Sequence, residues 1–298
     1  MIQVLKSYQT LSQEQRTIIK SGELKGTSPT AHWRQVLEPL VRLDDQLPGV
    51  RKNLEMLLWV YAGSFGLSLL FYVAILAGWG EISFMGLTLI GMHVALLPFA
   101  YWLLSFRSKV KGMDLDDRLG SCVLPFIDRM HQGTPDKIVT LRMDAAGIDW
   151  EAEMKSACPV GGTYRMEPVD LDWLAIEINL GGSNLAIHVT DHLEGDAETI
   201  EKPIGDETMY MCVTHFENTR KITTTLRLSP GAPVPHDLPN ETQVLTKGNV
   251  NVIAYEWEKN TFEPSPEIFS PHLEKGVKMV LTGQHEGTPA AQLLKGFL

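Results

Sequence analysis

The sequence predicts an α+β membrane protein, in which a two-helix transmembrane hairpin is joined to a cytoplasmic, mainly antiparallel β domain (sandwich or partly open barrel). Two long apolar runs follow each other between residues 57 and 106, and apolar and polar residues alternate with period two in the last 165 residues. The predicted order is an N-terminal helical segment (1–54), the hairpin (55–106), a juxtamembrane helix (107–133) and the β domain (134–298).

Each apolar run is long enough to span a bilayer. Residues 57–78 contain no charge, and residues 82–106 contain His93 as their one ionisable group. A bilayer core about 30 Å thick needs about 20 apolar residues in a helix. A pair of buried helices in a soluble core is the alternative, and the length of the uncharged runs argues against it. We therefore predict two spans joined by a tight turn.

Aromatic and basic residues at the ends of the runs predict the orientation. Trp59 opens the first run, Trp79 lies in the turn, and Tyr101 and Trp102 lie near the end of the second run. Such rings prefer the membrane–water interface. Lys and Arg precede the first run and follow the second, whereas the turn carries only Glu81, so the positive-inside rule places both termini in the cytoplasm. The polar first twenty residues do not resemble a signal peptide, and we expect an uncleaved anchor.

Small and polar residues inside the runs suggest helix contacts. Ala62 and Gly66, and likewise Ser64 and Ser68, are one helical turn apart and would let another helix approach closely. Contacts within the hairpin are favoured over contacts between copies. His93 lies near the middle of the second run, where an ionisable group is a candidate polar site. Because neither run holds an acidic partner for His93, packing against a neighbouring helix is the simpler interpretation.

The first 54 residues carry a net charge of +3 and predict two short helices. Ser12 and Gln15 have the spacing of a capping box. A break at residues 22–29 precedes a second helix that begins near Thr30 and ends at Pro48-Gly49. We expect these helices to pack on the β domain or on lipid headgroups. A partner-binding or lipid-binding amphipathic element is the alternative.

Strand patterns dominate the C-terminal domain. Alternating apolar positions in residues 171–180 and 185–190 flank a Gly-rich loop and predict a β-hairpin. Further strands are predicted at residues 137–143, 208–216, 220–228, 250–257 and 277–281. Residues 217–219 are expected to be the turn of a second hairpin. Since no long helix separates most of these strands, an antiparallel sheet is expected.

The sequence contains no recognisable catalytic or metal-binding motif. His188 and His192, with Asp191 and His215, are the best metal candidates. On a strand, however, residues four apart are about 13 Å apart and cannot chelate one ion unless the chain turns after Thr190. Cys212 and His215 would point to opposite faces of a strand, which disfavours a thiolate–imidazole pair. We predict no cofactor and no metal, and an enzymatic activity is not favoured.

Charge and architecture define the expected partners. Residues 107–298 hold 18 basic and 29 acidic residues, a net charge of −11, which argues against nucleic-acid binding. The lipid bilayer and other proteins, including further copies of the chain, are the expected partners. The first hypothesis is a membrane-anchored structural or interaction protein whose β domain docks partners or self-assembles. The alternatives are a membrane effector or sensor, in which binding to the β domain alters hairpin association, and an enzyme with a scattered site.

Overall fold

The computed structural model describes residues 2–74, 84–115, 117–134, 136–144, 163–204, 207–260, 266–283 and 288–297. The helices are α1 (Ile2–Thr10), α2 (Gln13–Ser21), α3 (Thr30–Asp44), α4 (Leu47–Ala74), α5 (Phe84–Lys111), α6 (Leu124–Gly133), α7 (Pro266–Leu281) and α8 (Pro289–Lys295). The strands are β1 (Glu23–Pro29), β2 (Ile138–Asp144), β3 (Thr163–Asn179), β4 (Asn184–Ile204), β5 (Glu207–Arg227), β6 (Thr242–Lys247) and β7 (Val250–Asn260). A π-helical turn, Leu119–Val123, precedes α6. The predicted α+β class with an antiparallel sheet is confirmed.

The chain divides into two compact units. The first comprises Met1–Lys20 and Pro39–Asp114, and the second comprises Ser21–Glu38 and Leu115–Leu298. Helices make up the described part of the first unit, whereas the second unit contains the whole sheet.

In the first unit, buried side chains lie toward the beginning of α4 and the end of α5, and most of the other described side chains of the two helices are exposed. Leu47 and Leu54 of α4, and Leu103 and Val110 of α5, are buried. Exposed apolar side chains lie elsewhere on the two helices: Trp59, Val60, Phe65, Leu67, Leu69, Leu70 and Val73 on α4, and Met92, Leu96, Leu97, Phe99, Tyr101, Trp102 and Leu104 on α5. Both helices therefore present apolar side chains that the described part of the protein does not cover.

Among the described residues, one helical segment is long and apolar enough to cross a membrane, and it lies within Thr30–Leu70. The second predicted run is helical from Phe84 onward, as part of α5. The predicted turn, which includes Trp79 and Glu81, lies outside the described residues. The two-span hairpin therefore stays a prediction.

The N-terminal predictions are partly confirmed. The Ser12 backbone N–H donates to Gln15 Oε1 at 2.7 Å, and the Gln15 N–H donates to Ser12 Oγ at 3.2 Å, which is the reciprocal pattern of a capping box. The predicted second helix begins at Thr30, as α3. The predicted break at residues 22–29 does separate α2 from α3, but most of it forms β1, a strand that the sequence did not predict. Pro48, in contrast, does not end a helix. It lies in the first turn of α4, where its missing N–H costs no helical hydrogen bond.

The sheet has the strand order β1-β2-β3-β4-β5-β7-β6, and every neighbouring pair is antiparallel. The predicted first hairpin is confirmed, since β3 and β4 pair from Asn179 and Asn184 outward. Gly181 and Gly182 have φ angles of 71° and 102°, a conformation that glycine adopts without steric cost. The Asn179 side chain accepts hydrogen bonds from both glycine N–H groups, and this fixes the turn.

Two strand predictions are wrong. Residues 217–219 do not form a turn, because β5 runs through them and pairs continuously with β4. Asn218 itself pairs with Leu193 of β4. Residues 277–281 lie in α7 instead of a strand. Leu273, Val277 and Val280 are buried at helical spacing, so a helical apolar stripe was misread as a short strand.

Helices supply the second layer of the β domain. The described strands form one open sheet instead of two packed sheets, and α7 packs on β5 and β7. Trp33 of α3 is buried, and its Nε1–H donates to the Val139 carbonyl of β2 at 3.0 Å. Phe126 of α6 packs against Phe297, with ring centroids 5.2 Å apart. The core therefore lies between one face of the sheet and these helices, because apolar helical stripes cover that face.

Candidate functional site

Three central strands extend well beyond the rest of the sheet. β2 pairs with β3 only at residues 174–178, and β7 pairs with β5 only at residues 219–227. Residues 163–172, 191–204 and 207–218 continue as a three-stranded extension, which we call the β arm. From residue 192 to residue 204 the arm is about 40 Å long at ~3.3 Å per residue. Met166, Leu193 and Ala197 form a small buried apolar cluster within it.

The pairing of β3 with β4 is irregular where the β arm begins. Register shifts occur between Met166 and Val169 and between Asp172 and Leu174. The second shift places Trp173 and Leu174 both in the buried class, although adjacent residues of a regular strand face opposite sides. The irregularity therefore turns the indole of Trp173 inward at the base of the arm.

Two arginines lie over this indole, and both bind the same aspartate. Asp191 of β4 lies opposite Arg220 of β5 in the register, and it accepts hydrogen bonds from Arg220 Nε and one terminal nitrogen, both at 2.6 Å. Arg118 donates to the same carboxylate at 3.3 Å. The guanidinium carbons of Arg118 and Arg220 lie 4.3 and 5.3 Å from the Trp173 ring centroid. We call these four residues the arginine cluster.

The arginine cluster is largely removed from water. The side chains of Arg220 and Asp191 are 2% and 6% exposed, and that of Arg118 is 19% exposed. Buried charges persist only when they are paired and hydrogen-bonded, and the bidentate Arg220–Asp191 geometry meets that requirement. Arginine stays protonated in proteins, so neither guanidinium acts as a base. The cluster is therefore suited to holding chain segments in place.

Arg118 connects the arginine cluster to a segment outside the sheet. Arg118 is the residue that precedes the π-helical turn, in which Leu119, Cys122 and Val123 are buried. In the sequence, this turn follows the end of α5. π-Helical turns are rare and occur frequently at functional sites. The ion pair between Arg118 and Asp191 therefore fixes the segment after the apolar helices to the base of the β arm.

A second polar group lies on the opposite, solvent-facing side of the sheet. His192 Nδ1 is 2.6 Å from Asp170 Oδ1, and His192 Nε2 is 3.1 Å from Glu194 Oε1. The hydrogen bond with Asp170 and that with Glu194 raise the pKa of His192 above its ordinary value of 6.5. Thr190 also donates to Asp172 at 2.7 Å. These contacts place a titrating imidazole between two carboxylates on the central strand, at the base of the arm.

The structure separates the histidines considered as metal ligands. β4 is one continuous strand through His188 and His192, and His188 is exposed. Asp191 faces the other side of the sheet, where it binds Arg220. Among the described residues, no group of three His, Cys, Asp or Glu side chains is arranged to hold a metal ion. Cys212 and His215 lie three residues apart in β5, as expected.

The residues predicted inside the membrane lie on α4 and α5. Ser64 Oγ donates to the Tyr61 carbonyl and Ser68 Oγ to the Ser64 carbonyl, both at 2.9 Å, so both hydroxyls bind their own helix. Ala62 is exposed, and no described atom lies within 4 Å of a Cβ built on Gly66. His93 lies within α5.

The predicted interface aromatics differ in their surroundings. Trp59 is 77% exposed and Tyr101 is also exposed. Trp102 stacks on Phe99 and on Phe106, with ring centroids 5.8 and 5.6 Å apart. Trp79 lies outside the described residues.

Sequence reasoning missed the arginine cluster, although a signal was present. Asp191 continues the apolar series of Leu185, Ile187 and Val189 at the same period, and Arg220 is in phase with Ile222. A charged residue in phase with a buried face indicates a buried ion pair, because such a charge must be compensated.

Comparison of the chain with models of protein families, with curated proteins and with solved structures finds no match.

Proposed function

We propose that this chain is a membrane-anchored interaction protein, in which α4 and α5 form a two-span hairpin and the β domain docks protein partners or further copies of the chain. The exposed apolar surface of α4 carries this proposal. Trp59, Leu67 and Leu70 are 77%, 70% and 68% exposed. Soluble monomers rarely expose contiguous apolar patches larger than a few hundred Å². Lipid tails would cover these side chains, and the length of α4 suits a span.

Two ion pairs support the hairpin arrangement. Arg107 lies 3.8 Å from Glu55, and Arg51 lies 2.5 Å from Asp114. Both contacts bring the beginning of α4 next to the end of α5, as a hairpin requires. The exposed residues Lys52, Lys109 and Lys111 lie at the same ends. Lys and Arg are enriched on the cytoplasmic side of spans, which supports cytoplasmic termini.

The β domain supplies the docking surfaces in this proposal. Its two edge strands, β1 and β6, each pair with one neighbour in the described sheet. The β arm adds further strand edges beyond the ends of β2 and β7. Unpaired strand edges offer backbone hydrogen-bonding groups, and such edges are recurring sites of protein recognition.

Fractionation tests the anchor. The full chain, expressed in cells, should remain with membranes after an alkaline carbonate wash, and its release into the supernatant would overturn the anchor. Orientation is tested with Glu81→Cys and Ser108→Cys, each labelled on intact cells by a membrane-impermeant thiol reagent, with the unsubstituted chain as the control for its own cysteines. We expect labelling at position 81 alone, and labelling at position 108 alone would reverse the proposed topology.

In situ cross-linking tests the docking role. In native membranes, cross-links from the β domain to other chains should concentrate on β1, β6 and the β arm. Cross-links confined to single chains would contradict the interaction role, whatever the outcome of the fractionation.

The arginine cluster favours a second candidate, a membrane effector or sensor. Arg118 follows the apolar helices in the sequence and binds Asp191 at the base of the β arm. Binding to the arm could then bias the segment that leads from the hairpin. Arg118→Leu should alter the detergent-solubilised oligomeric state if this coupling exists. Arg129→Leu, which removes a partly exposed pair with Glu274, serves as the matched control. Identical masses for both variants and the unsubstituted chain would reject the effector role.

A further inference from the structure

β6 is an edge strand of the described sheet, and the middle of this strand is apolar. It pairs with β7 along one side, and it is the last strand in the sheet order. Val244 and Leu245, at its middle, are 42% and 52% exposed. Its sequence, Thr-Gln-Val-Leu-Thr-Lys, contains no proline, and its pairing with β7 shows no register shift. Proline and bulges are the devices that commonly block edge-to-edge pairing, and β6 has neither.

The other edge strand, β1, is built differently. It ends at Pro29, which has no N–H to donate to a neighbouring strand. If β1 paired antiparallel with its own copy about Gly26, Glu23 would face Pro29 and Leu24 would face Ser28. None of these pairs is complementary, and Leu24 is already buried. The two edges of the sheet are therefore not equivalent.

Symmetric pairing of β6 with its own copy has a complementary register. A two-fold axis between identical antiparallel strands passes through a pair of equivalent residues, so the register is defined by the residue that faces itself. With Val244 at the centre, an apolar side chain faces its equivalent and Thr242 faces Thr246. If the pairing extends by one residue beyond β6, the same register places Glu241 opposite Lys247, so opposite charges meet twice, once on each side of the axis.

If the two-fold axis passed through Leu245 instead of Val244, the charge complementarity would be lost. Lys247 would then face Gln243 and Thr246 would face Val244. The charge complementarity is therefore specific to the register centred on Val244. Glu241 and Lys247 are both exposed and accessible to a second chain, although Glu241 also binds Lys275 at 2.5 Å within its own chain.

We propose that a second copy of this chain docks on β6 in the register centred on Val244, joining two seven-stranded sheets across a two-fold axis. The inference deepens the proposed interaction role by naming the partner, and in that respect it rests on the proposed function. Backbone hydrogen bonds along β6 supply the attraction, and the Glu241–Lys247 pairs select the register. Confinement of the chains to a membrane would raise their effective concentration for this weak contact.

Disulfide cross-linking of the full chain in detergent micelles tests the register. Residues that face each other across antiparallel strands have Cα atoms about 4.5–5.5 Å apart, which a disulfide can bridge. Val244→Cys should give a covalent dimer under mild oxidation. Leu245→Cys is the matched control, since it is equally exposed but about 8 Å from its equivalent in this register. The unsubstituted chain reports on the native cysteines. Equal dimer yields from positions 244 and 245 would overturn the proposal.

Charge reversal supplies an independent test. Lys247→Glu should raise the dimer dissociation constant about fivefold, because two like-charged pairs replace two attractive ones. Adding Glu241→Lys should restore dimerisation, as measured by sedimentation in detergent. A single variant without effect, or a double variant without rescue, would contradict the register. Lys275→Ala removes the intramolecular pair of Glu241, together with the contact of Lys275 with the Tyr255 ring, and should leave the dimer unchanged.

The two proposals fail in different ways. A chain that resists the carbonate wash but gives no dimer specific to position 244 would refute docking on β6 and keep the anchor. A chain that leaves the membrane yet forms that dimer would refute the anchor and keep the β6 interface.

Discussion

Asp191 and Arg220 face each other on adjacent strands and form a two-point ion pair that is almost completely shielded from water. The pair lies where the β arm leaves the wider sheet, and the indole of Trp173 covers both arginines of the cluster. A buried ion pair is weak evidence for net stability, because desolvation offsets much of the attraction. Removing one partner of the pair is nevertheless costly, because the other charge then stays buried without compensation.

Asp191→Asn should therefore destabilise the β domain strongly. The substitution keeps the shape of the side chain and leaves Arg118 and Arg220 without their shared carboxylate. We expect the free energy of unfolding to fall by about 3 kcal/mol, the lower end of the cost of breaking a buried pair. Denaturant unfolding in detergent, followed by tryptophan fluorescence, measures this loss. Asp170→Asn, on the exposed face, is the control and should cost no more than about 1 kcal/mol.

Replacing both Asp191 and Arg220 distinguishes the loss of their mutual attraction from the cost of leaving one buried charge unpaired. Asp191→Leu combined with Arg220→Met removes both opposing charges, and apolar replacements of buried pairs are often neutral or stabilising. The double variant should therefore unfold at a higher denaturant concentration than Asp191→Leu alone. If it is less stable than the single variant, Arg220 stabilises the domain through contacts other than the ion pair, such as its position over the Trp173 ring.

The comparison of sequence with structure shows which patterns are informative. Period-two alternation around Gly181-Gly182 correctly located the β3–β4 hairpin, because strand faces and positive φ angles leave direct traces in sequence. The same reasoning failed at Asn218, since a polar residue tolerated in a turn is equally tolerated in a long strand. It also failed for β1, a short edge strand whose pairing with β2 is a long-range contact that local patterns do not encode.

The candidate site was harder to predict than the fold. Arg118, Trp173, Asp191 and Arg220 are distant in sequence and come together only through the sheet register and the irregularity in β3. Asp191 and Arg220 can be recognised in the sequence as charged residues in phase with apolar ones. Arg118 has no such pattern around it, because its contact depends on how the π-helical turn packs on the sheet. The predicted membrane spans depend on length and composition, which can be read directly from the sequence.

Gly276 should not tolerate a side chain. It lies in α7 where that helix packs on the sheet, and a Cβ at this position would overlap the Thr224 hydroxyl and lie 3.1 Å from a ring carbon of Tyr255. Thr224 and Tyr255 are themselves buried, so neither can move freely. We expect Gly276→Ala to lower the free energy of unfolding by about 1–3 kcal/mol through overpacking, although alanine favours helices. Denaturant unfolding measures the change.

Lys278→Ala is the matched control for Gly276→Ala. It lies on the same helix two residues away, is half-buried, and should change stability by no more than about 0.5 kcal/mol. A stabilising effect of Gly276→Ala would show that α7 does not pack this closely on Thr224.

His192 should stabilise the folded protein at low pH. Its hydrogen bonds with Asp170 and Glu194 raise its pKa above 6.5, so the folded state binds the proton more tightly than the unfolded state. That contribution is complete below pH 6.5 and is lost as the pH rises through the raised pKa. Melting temperatures of His192→Asn and of the unsubstituted chain should therefore differ most in acid and converge in alkali. Melting temperatures that differ by the same amount at every pH would contradict this role of His192.

His272 should make the folded protein less stable at low pH, which is the opposite of the effect expected for His192. Burial lowers its pKa below 6.5, with Lys275 and Lys259 contributing, and its ring stacks on Trp257 with centroids 4.2 Å apart. The unfolded state then binds the proton more tightly, so stability is complete above pH 6.5 and falls as the pH decreases toward the lowered pKa. His272→Phe keeps an aromatic stack without a titrating group and should lose less stability in acid. Melting curves across this pH range decide the matter, and an unchanged acid dependence in His272→Phe would assign the loss to other groups.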